Sequence, residues 1–114
     1  FSMGGSWALW AAARLPQHVA AVATFYGTTD LDPEPARAAV IAHLAELDEL
    51  VDEDEAVRME AELRLLQREV EVHHYPGTGH WFFESDREAA HDPAAAELAW
   101  GRTTTFLHRH LDAR

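Results

Sequence analysis

Three strand-like runs, spaced by segments of helix length, restrict this chain to one architectural class. Residues 19–26 (VAAVATFY) form a continuous apolar run closed by Gly27. Unbroken apolarity without alternation is what a strand covered on both faces requires. Residues 38–44 (AAVIAHL) are a second such run, although alanine favours helix and leaves that alternative open. Residues 70–75 (VEVHHY) alternate and are rich in β-formers, giving a third and more exposed strand. An Ala/Leu/Trp helix follows Gly5 and ends at Leu15-Pro16, because the residue before proline avoids the α region. Residues 55–67 read as an amphipathic helix with Val57, Ala61, Leu65 and Leu66 as its stripe. Asp52 and Glu55 have the spacing of a capping box at its start. A last helix begins at Asp92-Pro93, with Asp as N-cap and Pro at the first position, and runs to about residue 111. Ala99, Thr103, Phe106 and His110, with Trp100, Leu107 and Leu111, are expected along one side of it. Strands alternating with helices imply parallel βαβ units.

Composition narrows the partners. Twenty acidic against nine basic side chains leave a net charge of −11, which repels nucleic acid and anionic membrane surfaces. No run of about 18 apolar residues exists, so no transmembrane helix is expected. The absence of cysteine excludes disulfides, thiolate metal sites and a thiol nucleophile. No metal signature and no cofactor motif stand out. A cytoplasmic location fits best, and the oligomeric state stays open. The 114 residues are short for the fold argued below, and they open on Phe1 inside what reads as a motif. Residues 1–114 are therefore expected to be the C-terminal portion of one larger domain, with its N-terminal strands missing.

That motif is Phe1-Ser2-Met3-Gly4, matching x-S-x-G of the strand–turn–helix elbow that presents a nucleophilic serine in α/β-hydrolases. Its glycines answer crowding as the turn lifts the hydroxyl. A plain turn or a helix cap is the alternative for Ser2. Ser6 reads as a small residue inside the helix.

Of eight histidines, His80 stands apart. It lies on the Gly-rich loop Pro76-Gly77-Thr78-Gly79, just after the third strand and before Trp81-Phe82-Phe83. Loops at the C-terminal ends of parallel strands are where such folds place their chemistry. His43 reads as a satisfied core histidine, His73 and His74 as strand residues, and His108 and His110 as solvated or capping. The acid that orients the imidazole must lie between Ser2 and His80 in the order Ser, acid, His. Asp48 directly follows the second strand, with Asp30 as runner-up. Asp32 is a further candidate, while Asp52 and Asp54 read as charges at a helix start.

Five segments resemble the dienelactone hydrolase family: FSMGGSWAL (1–9), VATFYG (22–27), HLAELDEL (43–50), YPGTGHWFF (75–83) and DPAAAELAWGRTTTFLHRHL (92–111). The resemblance implies an α/β-hydrolase fold with Ser2 as nucleophile, Asp48 as acid and His80 as base. It departs from the founding type, which uses cysteine. A serine hydroxyl needs a base beside it, and the change favours a broader esterase or lactonase, carboxymethylenebutenolidase-like, over the one dienelactone substrate. The expected reaction is hydrolysis of a small-molecule ester or lactone through an acyl-enzyme. The Met3 backbone N–H is one oxyanion donor and the second comes from outside residues 1–114, so the isolated piece is expected to be nearly inactive. Two other readings stand: a peptidase on the same fold, and a non-catalytic interaction module that binds through an exposed strand edge.

Overall fold

A computed structural model describes residues 1–29, 37–65 and 69–112. Six elements follow in order: α1 (Met3–Arg14), β1 (Ala21–Phe25), β2 (Ala39–Ala45), α2 (Glu53–Leu65), β3 (Val70–Tyr75) and α3 (Pro93–Leu111). The strands form one sheet in the order β1-β2-β3. Both pairings are parallel, with Phe25 opposite His43 and Ala45 opposite Tyr75. Parallel strands bring all their C-terminal ends to one rim, and the loops after β1, β2 and β3 therefore meet there.

The alternation of side chains along β2 divides the core. Val40 and Ala42 pack with Val22 of β1, with Leu9 and Ala12 of α1 and with Met59 and Leu63 of α2. Ala39 and Ile41 face the other way, onto Phe106 of α3. The sheet is thus covered on both faces, which is why the central strand reads as an unbroken apolar run. Strand β1 is less enclosed than its apolarity suggested, since Ala21 and Ala23 are only partly buried.

The helix ends follow local chemistry. Leu15 leaves the helical region at φ −127°, ahead of Pro16. The Asp92 side chain accepts from the Ala95 N–H at 3.0 Å, with Pro93 opening α3. At α2 the Asp52 carboxylate caps the Glu55 N–H at 3.1 Å. The reciprocal half of the box is not made, because Glu55 accepts from the Thr28 hydroxyl at 2.8 Å.

The buried face of α2 corrects the sequence expectation. Met59 and Leu63 are buried, whereas Val57 and Leu65 of the expected stripe are 64% and 80% exposed. Leu66 lies outside the described residues. In α3, Ala96, Ala99, Thr103 and Phe106 face the sheet, while Trp100 and Leu111 point outward. His110, expected to be solvated or capping, is half-buried against Phe106, with ring centroids 4.4 Å apart. His43 is the core histidine anticipated, held between the Tyr75 hydroxyl at 2.6 Å and the Thr103 hydroxyl at 2.7 Å. Among the described residues no helix is long and apolar enough to cross a membrane.

Candidate active site

The N-terminus of α1 sits on the C-terminal end of β1, where the Ser2 N–H donates to the Phe25 carbonyl at 2.9 Å. Ser2 occupies the N-cap position with φ 52° and makes no side-chain cap hydrogen bond. A serine in a helix-cap role would spend its oxygen on the helix amides. Here the hydroxyl is left to point elsewhere, at a backbone conformation that non-glycine residues rarely adopt.

The glycines that permit this are not the one the motif singled out. A Cβ on Gly4 would meet nothing within 4 Å. The close approach falls on Gly5 and Gly27: a Cβ on Gly5 would come within 3.3 Å of the Gly27 Cα, and one on Gly27 within 3.2 Å of the Gly5 Cα. The signal for Gly27 was present in the sequence as the residue closing an apolar strand, but only the fold sets it against Ser2.

Ser2 Oγ lies 2.8 Å from His80 Nε2. His80 Nδ1 lies 2.6 Å from Asp48 Oδ2. The His80 and Asp48 side chains are each 6% exposed. A carboxylate only accepts, so Nδ1 carries the proton it donates to Asp48. Nε2 then keeps a lone pair toward the serine hydroxyl. The other Asp48 oxygen accepts from the Leu50 and Val51 N–H groups at 2.9 and 3.2 Å. The loop after β2 thereby fixes the carboxylate before it reaches the imidazole. The loop after β3 is anchored to it by the Leu47 N–H, which donates to the Thr78 carbonyl at 2.8 Å.

Residues 78 positions apart are thus joined by three loops meeting at one rim. Asp52 and Asp54 lie at the start of α2, away from the imidazole chain, and Asp30 and Asp32 lie outside the described residues. Ser6 is inside α1, bonded to Thr29 Oγ1 at 3.2 Å.

Ser2, Met3, Tyr26, Thr28, Val51 and His80 are among the residues lining a cleft of about 210 Å³ at this rim. The Gly4 and Gly5 N–H groups are taken by the Phe1 and Ser2 carbonyls, and no described residue accepts from the Met3 N–H. A larger groove of about 640 Å³ lies between α3 and Glu71, but it contains no nucleophile beside a base. Among the described residues no group of three His, Asp or Glu side chains is placed to hold a metal ion.

The family model for dienelactone hydrolases matches residues 1–111. The chain belongs to the dienelactone hydrolase family. Protein usf of Aquifex pyrophilus is 32% identical over 114 residues, covering 97% of this chain and 49% of that protein. A protein bearing the name carboxymethylenebutenolidase, from Aquifex aeolicus (strain VF5), matches with the same identity and coverage. A crystal structure described as a dienelactone hydrolase from Klebsiella pneumoniae subsp. pneumoniae superposes with a TM-score of 0.81 at 24% identity, over 92% of this chain and 48% of that one. The parallel sheet and its helices are therefore part of an α/β-hydrolase fold. The chain spans about half the length of the curated relatives it matches.

Proposed function

We propose that this member of the dienelactone hydrolase family is a serine hydrolase of carboxylic esters or lactones. Ser2 is the nucleophile, His80 the general base and acid, and Asp48 the orienting carboxylate. The observation that carries the reading is the unbroken chain from Ser2 Oγ through both nitrogens of His80 to Asp48 Oδ2.

In the forward step His80 Nε2 takes the Ser2 proton as Oγ attacks the substrate carbonyl. The resulting oxyanion lies where the Met3 N–H can donate, and such a donor is worth roughly 10²–10³ in rate. Collapse breaks the ester C–O bond, and His80 returns its proton to the departing alkoxide. Water then attacks the acyl-enzyme with His80 as base, releasing the acid and restoring the Ser2 hydroxyl. With a lactone, the alcohol and the acid leave as one hydroxy acid. Asp48 stabilises the imidazolium in both halves. The family and the name of the Aquifex aeolicus relative support an ester or lactone bond as the target.

These 114 residues span about half the length of the relatives, and the second oxyanion donor is expected from outside them. We therefore expect activity from the full-length protein and almost none from the isolated chain. A fluorophosphonate probe should label the full-length protein at Ser2 and leave Ser2→Ala unlabelled. A folded, unlabelled wild type would remove the reading. Oligopeptide cleavage with weak or absent ester cleavage would replace it with a peptidase on the same fold.

A further inference from the structure

The two hydrogen bonds of His80 hold the edge of its ring, at Nε2 beside Ser2 Oγ and at Nδ1 beside Asp48 Oδ2. The faces of the ring are held only by packing. Rotation about the Cβ–Cγ bond swings both nitrogens out of line together, and what lies beside the ring opposes that swing.

Two aromatic rings lie there. Tyr26 is tilted at 50° to the imidazole, with ring centroids 4.7 Å apart. Trp81 meets it edge-on at 4.9 Å. Both are held from a distance by one carboxylate. The Tyr26 hydroxyl donates to Glu84 Oε2. Arg87 Nε lies 3.6 Å from Glu84 Oε1, and its guanidinium covers the Trp81 ring at 4.1 Å. The contacts close a loop: His80, Tyr26, Glu84, Arg87, Trp81 and back to His80.

The backbone marks the same residues independently. Among the described residues, those other than glycine with positive φ are Ser2 (52°), Tyr26 (45°) and Trp81 (70°). They are the proposed nucleophile and the two rings beside its base. Such conformations cost free energy and persist only where the surroundings over-determine them. The Glu84 N–H closes the turn at Trp81 by donating to its carbonyl at 3.0 Å. The Tyr26 N–H is held by the His43 carbonyl at 2.7 Å.

We propose that Glu84 is a positioning residue for His80, holding the imidazole plane in line with Ser2 Oγ through Tyr26 and through Arg87 and Trp81. This rests on the reading of Ser2 as nucleophile and adds the means by which its base is aimed. Burial, and then the hydrogen bond to Glu84, push the Tyr26 phenol well above its ordinary value. Its hydroxyl therefore remains a donor throughout the neutral range. Glu84 itself does not line the cleft at Ser2, so its loss should change the chemical step and not substrate affinity.

The test uses the full-length protein with the variants Glu84→Ala, Glu84→Gln, Tyr26→Phe and the double Tyr26→Phe/Glu84→Ala. The rate of fluorophosphonate labelling at Ser2 is resolved into a binding constant and a chemical step. Glu84→Ala should slow the chemical step roughly tenfold or more, as small misplacements of a reacting group do, with the binding constant unchanged. Glu84→Gln, which still accepts from Tyr26, should recover part of the loss. The double variant should be no slower than Glu84→Ala, because the hydroxyl acts only through the carboxylate. The His80 ring signals in a histidine side-chain NMR spectrum should be single and sharp in the wild type and broadened or doubled in Glu84→Ala. Wild-type labelling and sharp ring signals in Glu84→Ala would overturn the proposal. So would a loss that tracks thermal unfolding and is not recovered by glutamine. A folded wild type that is never labelled removes the nucleophile instead, and the ring signals then decide by themselves whether Glu84 holds the imidazole.

Discussion

Gly27 lies directly beneath Ser2: a Cβ at position 27 would come within 2.5 Å of the Ser2 carbonyl oxygen and 3.2 Å of the Gly5 Cα. Both obstacles are backbone, so no rotamer change relieves them. Gly27→Ala should push α1 off the end of β1 and cost about 1–3 kcal/mol, the usual range for overpacking a tight site. Ser2 labelling should fall with it. Gly4→Ala is the control, since a Cβ there has open space. It should leave labelling intact and stabilise the helix by about 0.5–1 kcal/mol. Urea unfolding and probe labelling of both variants separate the two glycines.

Asp48→Asn should be far more damaging to chemistry than to folding. The asparagine oxygen can still accept from the Leu50 and Val51 N–H groups, as Asp48 Oδ1 does. Its amide nitrogen, however, would then face His80 Nδ1 as a donor. The imidazole would have to move its proton to Nε2 and lose the lone pair aimed at Ser2. A fall of about 10⁴ in kcat is expected, the size of a tautomer error in a triad. A steady-state ester assay on the full-length protein, with circular dichroism as the folding control, measures it. A loss of under tenfold would argue that another acid orients His80.

The two faces of α2 should differ sharply on truncation. Leu63 is 2% exposed and packs in the core with Met59 and Val40. Leu63→Ala should cost about 2–5 kcal/mol. Val57 is 64% exposed, and Val57→Ala should change stability by about 0.5 kcal/mol or less. Equal effects in urea titrations would mean that α2 is rotated about its axis from the orientation described.

His43 makes stability sensitive to acid. Desolvation by burial, then the charges of His73 and Arg102, push its imidazole down to about 3 from an ordinary 6.5. The unfolded chain therefore takes up a proton near pH 6.5 that the folded protein refuses until about pH 3. The stabilisation is fully present above pH 6.5 and is lost as pH falls toward 3, by up to about 1.4 kcal/mol per unit. His43→Gln should be less stable at pH 7 but should lose less on going from pH 7 to pH 5. Denaturant midpoints of the two proteins at both pH values check the sign.

Much of the architecture is legible in the residues. The apolar runs at 19–26 and 38–44 mark strands because parallel sheets are covered on both faces, and Asp92-Pro93 marks a helix start because its chemistry is local. The stripe on α2 was not legible. Val57, Ala61 and Leu65 have helical spacing, but so do Met59 and Leu63, and only the angle at which the helix meets the sheet decides between the two faces.

The site divides the same way. Ser2 and His80 stand out in the sequence as candidates, each in a short glycine-containing segment, although a plain turn or helix cap remained the alternative for Ser2. Tyr26 and Glu84 carry no local signature, and Gly27 shows only as the residue that closes an apolar strand; their roles arise when the loops after β1 and β3 are brought to one rim. Sequence determines which segments are strand, helix or turn, because those choices are settled by neighbours along the chain. Tertiary structure decides which hydroxyl, ring and carboxylate meet, because a hydrogen bond acts only within about 3 Å and that distance is set by sheet register and loop closure.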